Sequence, residues 1–143
     1  MKNLFKKVTA LVAATIVISS VSAIGAGAVT LDKTFTIDNP YLTTTQTYGY
    51  DSSTNTTFAT NLTKCKKDNY KAILSCAELT DGGDGIYSNK TDYRPYADKG
   101  SFLKVKTSQG FHYEGKYAHY WSYVCDSNDV MKGKVDISRR IVF

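Results

Sequence analysis

The chain holds two prolines, three cysteines, two histidines and one tryptophan among 143 residues. Each scarcity closes off a class of protein. The cysteines and histidines show no Cys-x-x-Cys or His-x-x-x-His spacing, so no common zinc site is encoded. There is no Gly-x-Ser-x-Gly, no phosphate loop, no dinucleotide fingerprint and no zinc-protease helix, which removes the commonest hydrolase and nucleotide-binding classes. Only one long apolar run exists, Val8 to Val21, and none follows it. The run is short for a membrane span, so no stable membrane insertion is expected for the rest of the chain.

What is present begins with that run. Lys2, Lys6 and Lys7 form a positive start, only Thr9, Thr15, Ser19 and Ser20 interrupt the apolar stretch, and Ala26-Gly27-Ala28 fits small-x-small cleavage. These features predict a signal peptide over residues 1–28, cut after Ala28, with Ala23 as the second candidate site. The expected product is a secreted, extracellular single domain, 29–143. A chain of that length buries about two-thirds of its unfolded surface, enough for a core without disulfides. No cysteine lies near the cleavage site and no wall-sorting motif closes the chain, so release or non-covalent retention is expected.

Without the three leader lysines, 15 basic residues face 13 acids, a net charge of +2. That balance does not point to nucleic acid. Two local clusters, Lys64-Lys66-Lys67-Lys71 and Lys132-Lys134-Arg139-Arg140, read first as solvated faces. If they met in the fold they could attract an anionic cell-wall polymer or lipid headgroups.

Cys65, Cys76 and Cys125 meet an oxidising compartment. Three cysteines allow one bridge, in any of three pairings, and leave a thiol that can join two chains in a disulfide-linked dimer. Cys76 also fits a buried small hydrophobe.

All 11 tyrosines and the tryptophan lie after residue 28. Aromatic and β-branched residues favour strands. Alternation predicts strands at Leu31–Ile37 and Phe102–Thr107; Thr43–Tyr50 reads as a polar strand and Thr56–Leu62 as another, and Val130–Phe143 closes the chain with Val135, Ile137 and Ile141-Val142-Phe143. Tyr70–Leu79 fits helix or strand, and its β neighbours favour strand. Ile86–Gly100 reads as an irregular connection. Asp81, Asp84, Asn89 and Asp92 could offer oxygens to calcium, although a plain turn explains them better. About eight strands with turn punctuation predict an all-β fold, a small antiparallel β-sandwich, with jelly-roll-like wrapping as one form it can take.

Phe111 to Cys125 holds the densest chemistry. A two-residue type II′ turn at Gly115-Lys116 would make a hairpin in which Glu114 faces Tyr117 and His112 faces His119. Period two then places Phe111, Tyr113, Ala118, Tyr120, Ser122 and Val124 inward, and gathers His112, Glu114, Tyr117, His119, Trp121 and Tyr123 on the other face. A shift of one residue in the turn would destroy this grouping. Three readings compete for that face, in this order: structural aromatic pairing; a binding platform for sugar or peptide; and acid–base chemistry by the His pair with Glu114 and an arginine such as Arg94.

In outline the chain resembles the short exported β proteins of Gram-positive bacteria. The expectation is a non-enzymatic protein, with no cofactor and no metal, acting by surface recognition. Its partner would be cell-wall glycan, another envelope surface or a protein. A bacteriocin-like antagonist belongs to the same class. A small nuclease-like hydrolase using the His pair, or a purely structural exported protein, are the other readings.

Overall fold

The computed structural model describes residues 15–17, 22–23 and 29–143. The predicted signal peptide and both cleavage sites lie outside the described residues, apart from two short backbone strands, β1 (Thr15–Val17) and β2 (Ser22–Ala23). Eight strands follow: β3 (Val29–Asp38), β4 (Leu42–Asp51), β5 (Thr56–Cys65), β6 (Tyr70–Thr80), β7 (Ile86–Ala97), β8 (Phe102–Gln109), β9 (Tyr117–Cys125) and β10 (Met131–Arg140). No helix occurs among the described residues.

The strands form two antiparallel sheets. The first runs β1-β3-β4-β5-β8, with β2 also on β3, and the second runs β10-β9-β6-β7. β3, β4 and β5 make a plain meander. The chain then crosses to β6 and β7, returns to pair β8 with β5, and crosses again to pair β9 with β6. The β5–β6 and β7–β8 crossings are stitched together at one corner. Cys65 N–H donates to Ser101 O (2.8 Å) and Gly100 N–H to Cys65 O (2.9 Å). Asp68 accepts from Lys99 N–H, and Asp98 from Asn69 N–H, each at 3.0 Å.

The interior is layered. Tyr48, Ala59, Ala77, Leu79, Val105, Ala118, Tyr120 and Ile141 belong to one apolar cluster. Ile37, Leu42, Cys65, Ile73, Val124 and Val135 belong to another. Between them the register sets three cross-strand pairs, Gln46–Asn61, Thr44–Thr63 and Ser75–Ser122, all fully buried. Burial without partners would cost each of these groups ~1–3 kcal/mol, and the belt supplies the partners. Thr44 Oγ1 donates to Asn61 Oδ1 (2.5 Å), while Asn61 Nδ2 donates to Ser122 Oγ (2.9 Å), Cys76 O (2.9 Å) and Trp121 O (3.2 Å). Thr63 donates to Ser75 Oγ and pairs with Ser122 Oγ at 2.7 Å. A network satisfied in this way holds one inter-sheet register, because any slip leaves its members unpaired.

One atom breaks the pattern. Gln46 Nε2 is buried without a partner among the described residues. Its Oε1 accepts from Arg139 Nε (3.2 Å), so an amide flip would set two donors against each other. Arg139 faces inward from β10, with its guanidinium 3.9 Å from the Phe35 ring centroid.

Several expectations change. Ile86–Ala97 is not an irregular loop but an edge strand. Almost every residue of it is exposed, so neither face carries the apolar alternation that marks a half-buried strand. The Phe111–Glu114/Tyr117–Tyr120 hairpin does not form. The turn spans Tyr113–Lys116, with Lys116 N–H donating to Tyr113 O (3.2 Å) and Gly115 at φ 81°. Glycine therefore sits at the second central position, one residue out of the type II′ frame. Pairing with Ile141 through Gly115 N–H and Lys116 O, both at 2.8 Å, ties the turn to the C-terminal segment instead.

No disulfide forms: Cys65, Cys76 and Cys125 are all free. Cys65 belongs to the interior cluster. Cys76 and Cys125 share the outer face of the second sheet, where Cys76 pairs with Trp121, and Cys125 with Ala72. They are four positions apart along the strands, about 13 Å, beyond the ~7 Å Cα limit for a bridge.

Gly133 shows why a side chain is excluded at the β10 bulge. Its φ is 62°, and a Cβ there would lie 2.8 Å from both Asn39 Oδ1 and Tyr41 Cβ. Asn39 Nδ2 donates to Gly133 O (3.0 Å) and pins the bulge to the β3–β4 turn.

Candidate functional site on the outer face of the second sheet

Strand alternation sorts β9 cleanly. Ala118, Tyr120, Ser122 and Val124 are buried, while Tyr117, His119, Trp121 and Tyr123 are partly exposed on the opposite side. The flanking strands complete this outer face in rows set by register. Asp136 of β10, Trp121, Cys76 of β6 and Thr91 of β7 make one row, and Ser138, His119, Glu78 and Asn89 the next. Leu74 and Tyr93 extend the row of Tyr123.

His119 is clamped between two carboxylates. Nδ1 lies 2.7 Å from Glu78 Oε2 and Nε2 lies 2.7 Å from Asp136 Oδ1. Only the doubly protonated imidazolium donates at both contacts. Burial opposes that charge, but the hydrogen bonds and charges of Asp136 and Glu78 outweigh it and raise the His119 pKa above its ordinary 6.5. The His119 hydrogen bond holds the Asp136 carboxyl below its usual range, with Lys134 adding to the effect; Lys134 Nζ is 3.5 Å from Asp136 Oδ2. Asn89 Nδ2 donates to Glu78 Oε1. With both nitrogens engaged, His119 has no lone pair to offer a ligand. It organises charge and is poorly placed to be a general base.

Two depressions flank this clamp. One, of about 280 Å³, is lined by Trp121, Tyr123, Met131, Lys134 and Asp136. The Trp121 and Tyr123 rings are nearly parallel, with centroids 5.8 Å apart and an interplanar angle of 15°. The groove thus combines two aromatic rings and a thioether with an ion-paired carboxylate and ammonium. The other, of about 370 Å³, lies against Glu78, His119, Ser138 and the Gly82–Asp84 turn. Cys76, the cross-strand partner of Trp121, is fully buried although it faces outward. Burial pushes its thiol up to about 11, partly offset by Thr91 and Trp121, so it stays protonated and unreactive at neutral pH.

No protein family, curated protein or solved structure matches the chain.

Of the six residues grouped from sequence, the fold brings together His119, Trp121 and Tyr123, and sets Tyr117 at their margin. Tyr117 is covered by the 81–85 turn, where a Cβ on Gly82 would lie 2.6 Å from its ring. His112 and Glu114 are exposed in the β8–β9 connection. The His112 ring stacks on Phe143 (5.3 Å, 21°) and contacts Tyr50 (4.4 Å), so the surroundings of the two imidazoles have no residue in common. Arg94 Nη1 donates to Phe102 O (2.8 Å) and joins neither. The Asp81 carboxylate accepts from Gly83 and Gly85 N–H (2.8 and 3.2 Å). Its Oδ1 thus closes a turn. Among the described residues no group of three His, Cys, Asp or Glu is placed to hold a metal ion.

Sequence reasoning missed Glu78, Asp136 and Met131, and gave Asn89 and Lys134 other roles, as a calcium ligand and as part of a basic cluster. Glu78 was within reach: reading Tyr70–Leu79 as a strand places Cys76 and Glu78 on one face. Asp136 needed the β9–β10 register, which no local signal supplies.

Proposed function

We propose that the protein is an exported, non-enzymatic recognition protein that binds glycan at the bacterial cell envelope through the outer β10-β9-β6-β7 face. The observation that carries this reading is the Trp121–Tyr123 groove with its Asp136–Lys134 rim. A sugar ring has an apolar C–H face and an equatorial belt of hydroxyls. The aromatic rings suit the first, and a carboxylate beside an ammonium suits the second. The clamp on His119 keeps Asp136 ionised and fixed, which lowers the ordering cost of binding.

The leader supports secretion, and its form suits a Gram-positive bacterium. The β5–β9 wrapping, in which the β6–β7 hairpin folds across while β5 and β8 pair, is the jelly-roll-like part of the sandwich. It gives the face a rigid base. An antagonist acting on a competitor would use the same face on that cell's wall. Cys125 is the half-exposed thiol that a disulfide-linked dimer would use.

A glycan array and a cell-wall pull-down with residues 29–143 test the proposal. Wall or glycan binding should fall at least tenfold in Trp121→Ala, the loss expected when one ring contact worth ~1.4 kcal/mol disappears. No binding to any glycan or wall fraction, or unchanged binding by Trp121→Ala, would refute it. N-terminal sequencing of the extracellular product should begin at Val29.

A further inference from the structure

The corner where the two sheet crossings are stitched together carries a second feature. A cleft of about 630 Å³ opens there, lined by Pro40, Thr43, Lys64, Lys66, Lys67 and Lys99, with Cys65 and Gly100. Four ammonium groups and no carboxylate belong to this lining. Lys64, Lys66 and Lys67 come from the end of β5 and the chain just after it. Lys99 comes from the other crossing and is drawn alongside by the Gly100–Cys65, Ser101–Cys65 and Lys99–Asp68 hydrogen bonds.

Nearby acids offset part of this charge, but only one of the four ammonium groups is ion-paired. Lys66 is paired with Asp38, 2.9 Å from both oxygens. Lys64, Lys67 and Lys99 have no ion-pair partner among the described residues. Asp68 and Asp98 are held by backbone N–H groups; they keep their charge, lie near enough to act on Cys65, and stand outside the cleft lining, Asp98 in a separate depression with Asn69 and Tyr70. Lys71 is held by Asp129 (2.6 Å), and Lys132 lies 3.9 Å from Asp126. The first basic cluster therefore separates into Lys71, paired outside the cleft, and a cleft in which Lys64 and Lys67 are joined by Lys99 and only Lys66 is ion-paired. The second cluster does not join it as one patch, because Arg139 turns inward and Lys134 pairs with Asp136.

We propose that this cleft binds a phosphate-bearing linear polymer without bases, a polyol phosphate chain. Three unpaired ammonium groups held in one cleft repel one another, and an anion entering the cleft relieves that repulsion. Lysine supplies point charges rather than the planar fork that arginine offers to a single carboxylate or phosphate, which suits a flexible chain sliding across several phosphates. Single-stranded nucleic acid is usually held by charge together with aromatic rings that stack its bases, and this lining contains no aromatic ring. The cleft lies apart from the Trp121 groove and shares no residue with it, so it would act as a second point of attachment.

The test uses residues 29–143 titrated with synthetic poly(glycerol phosphate) by calorimetry. Binding should weaken roughly tenfold or more between about 50 and about 200 mM salt, as counterion release requires. The triple variant Lys64→Gln, Lys67→Gln, Lys99→Gln should lose at least tenfold in affinity. Trp121→Ala should bind the polymer normally, which separates this site from the glycan face. The control triple Lys90→Gln, Lys104→Gln, Lys116→Gln carries the same change in net charge elsewhere on the surface. Equal loss in that control would show generic attraction and overturn the site. Equal or tighter binding of single-stranded DNA with the same number of phosphates would overturn the ligand class, and no binding at low salt would overturn both.

Discussion

Ala118, Tyr120, Ser122 and Val124 on the inward side of β9 are 0% exposed, whereas Tyr117, His119, Trp121 and Tyr123 on its outward side all keep contact with water. Nine consecutive residues thus serve two purposes. Inside, each polar group meets fixed protein partners: Tyr120 Oη donates to Thr47 O (2.8 Å), Ser122 Oγ accepts from Asn61 and pairs with Thr63 Oγ1, and burial drives the Tyr120 phenol far above its ordinary value. Outside, the partners of His119 are ionic and partly solvated, and the Trp121 and Tyr123 rings stay partly exposed. The contrast separates residues that hold the sandwich together from residues free to meet a ligand.

The largest test of that contrast is Tyr120→Ala. It removes a fully buried ring and leaves Thr47 O without its donor, so unfolding free energy should drop by about 3–5 kcal/mol in a denaturant titration. A loss below ~1 kcal/mol would mean that the interior tolerates voids as readily as the surface does.

Gln46→Met sharpens the comparison from the other direction. The substitution removes the orphaned Nε2 at nearly constant volume. Arg139 loses one acceptor, but its half-exposed guanidinium keeps Phe35 and solvent. Stability should rise by about 1 kcal/mol, read as a higher thermal midpoint.

On the outer face, stability should depend on pH through the His119 clamp. The raised His119 pKa means that its contribution is complete below the ordinary 6.5 and fades as pH climbs through the folded value. The depressed Asp136 pKa means that its contribution is complete above the ordinary 3.8 and fades as pH falls through the folded value. The clamp is therefore strongest between these two ordinary values. Because Asp136 is half-exposed and screened, raising the pH from 6 to 9 should cost only about 1 kcal/mol. His119→Gln should flatten this dependence in melts across that range, and an unaltered pH profile in the variant would exclude the clamp as its source.

The smallest expected effect is that of Trp121→Ala on folding. The ring is partly exposed, and stability should change by less than about 1 kcal/mol, while the proposed glycan binding should fall at least tenfold. A change as large as that of Tyr120→Ala would make the outer ring part of the structural core and remove the contrast.

Much of the fold was legible because strand alternation is a local signal. The inward set on β9 could be read from its period of two, as could the strands at 31–37 and 102–107. β7 could not, because an edge strand exposed on both faces needs no apolar alternation, and Pro95 at its end resembles a terminator. The candidate site was legible only along one strand. His119, Trp121 and Tyr123 were found together, but Glu78 and Asp136 reach His119 from 41 residues before it and 17 after it.

The amino-acid order alone determined that the chain after residue 28 is β-structured, which side of β9 points inward, and where most turns fall, since these follow from steric preference and periodicity within a few residues. Tertiary structure alone decided that the Gly115 turn joins the C-terminal segment, that all three thiols stay apart, that Asn61 becomes the hub of a polar belt, and that four lysines from two crossings line one cleft. Those outcomes depend on which strands become neighbours. That choice is made by burying apolar surface and satisfying polar groups across the whole sandwich, and no short window of sequence contains it.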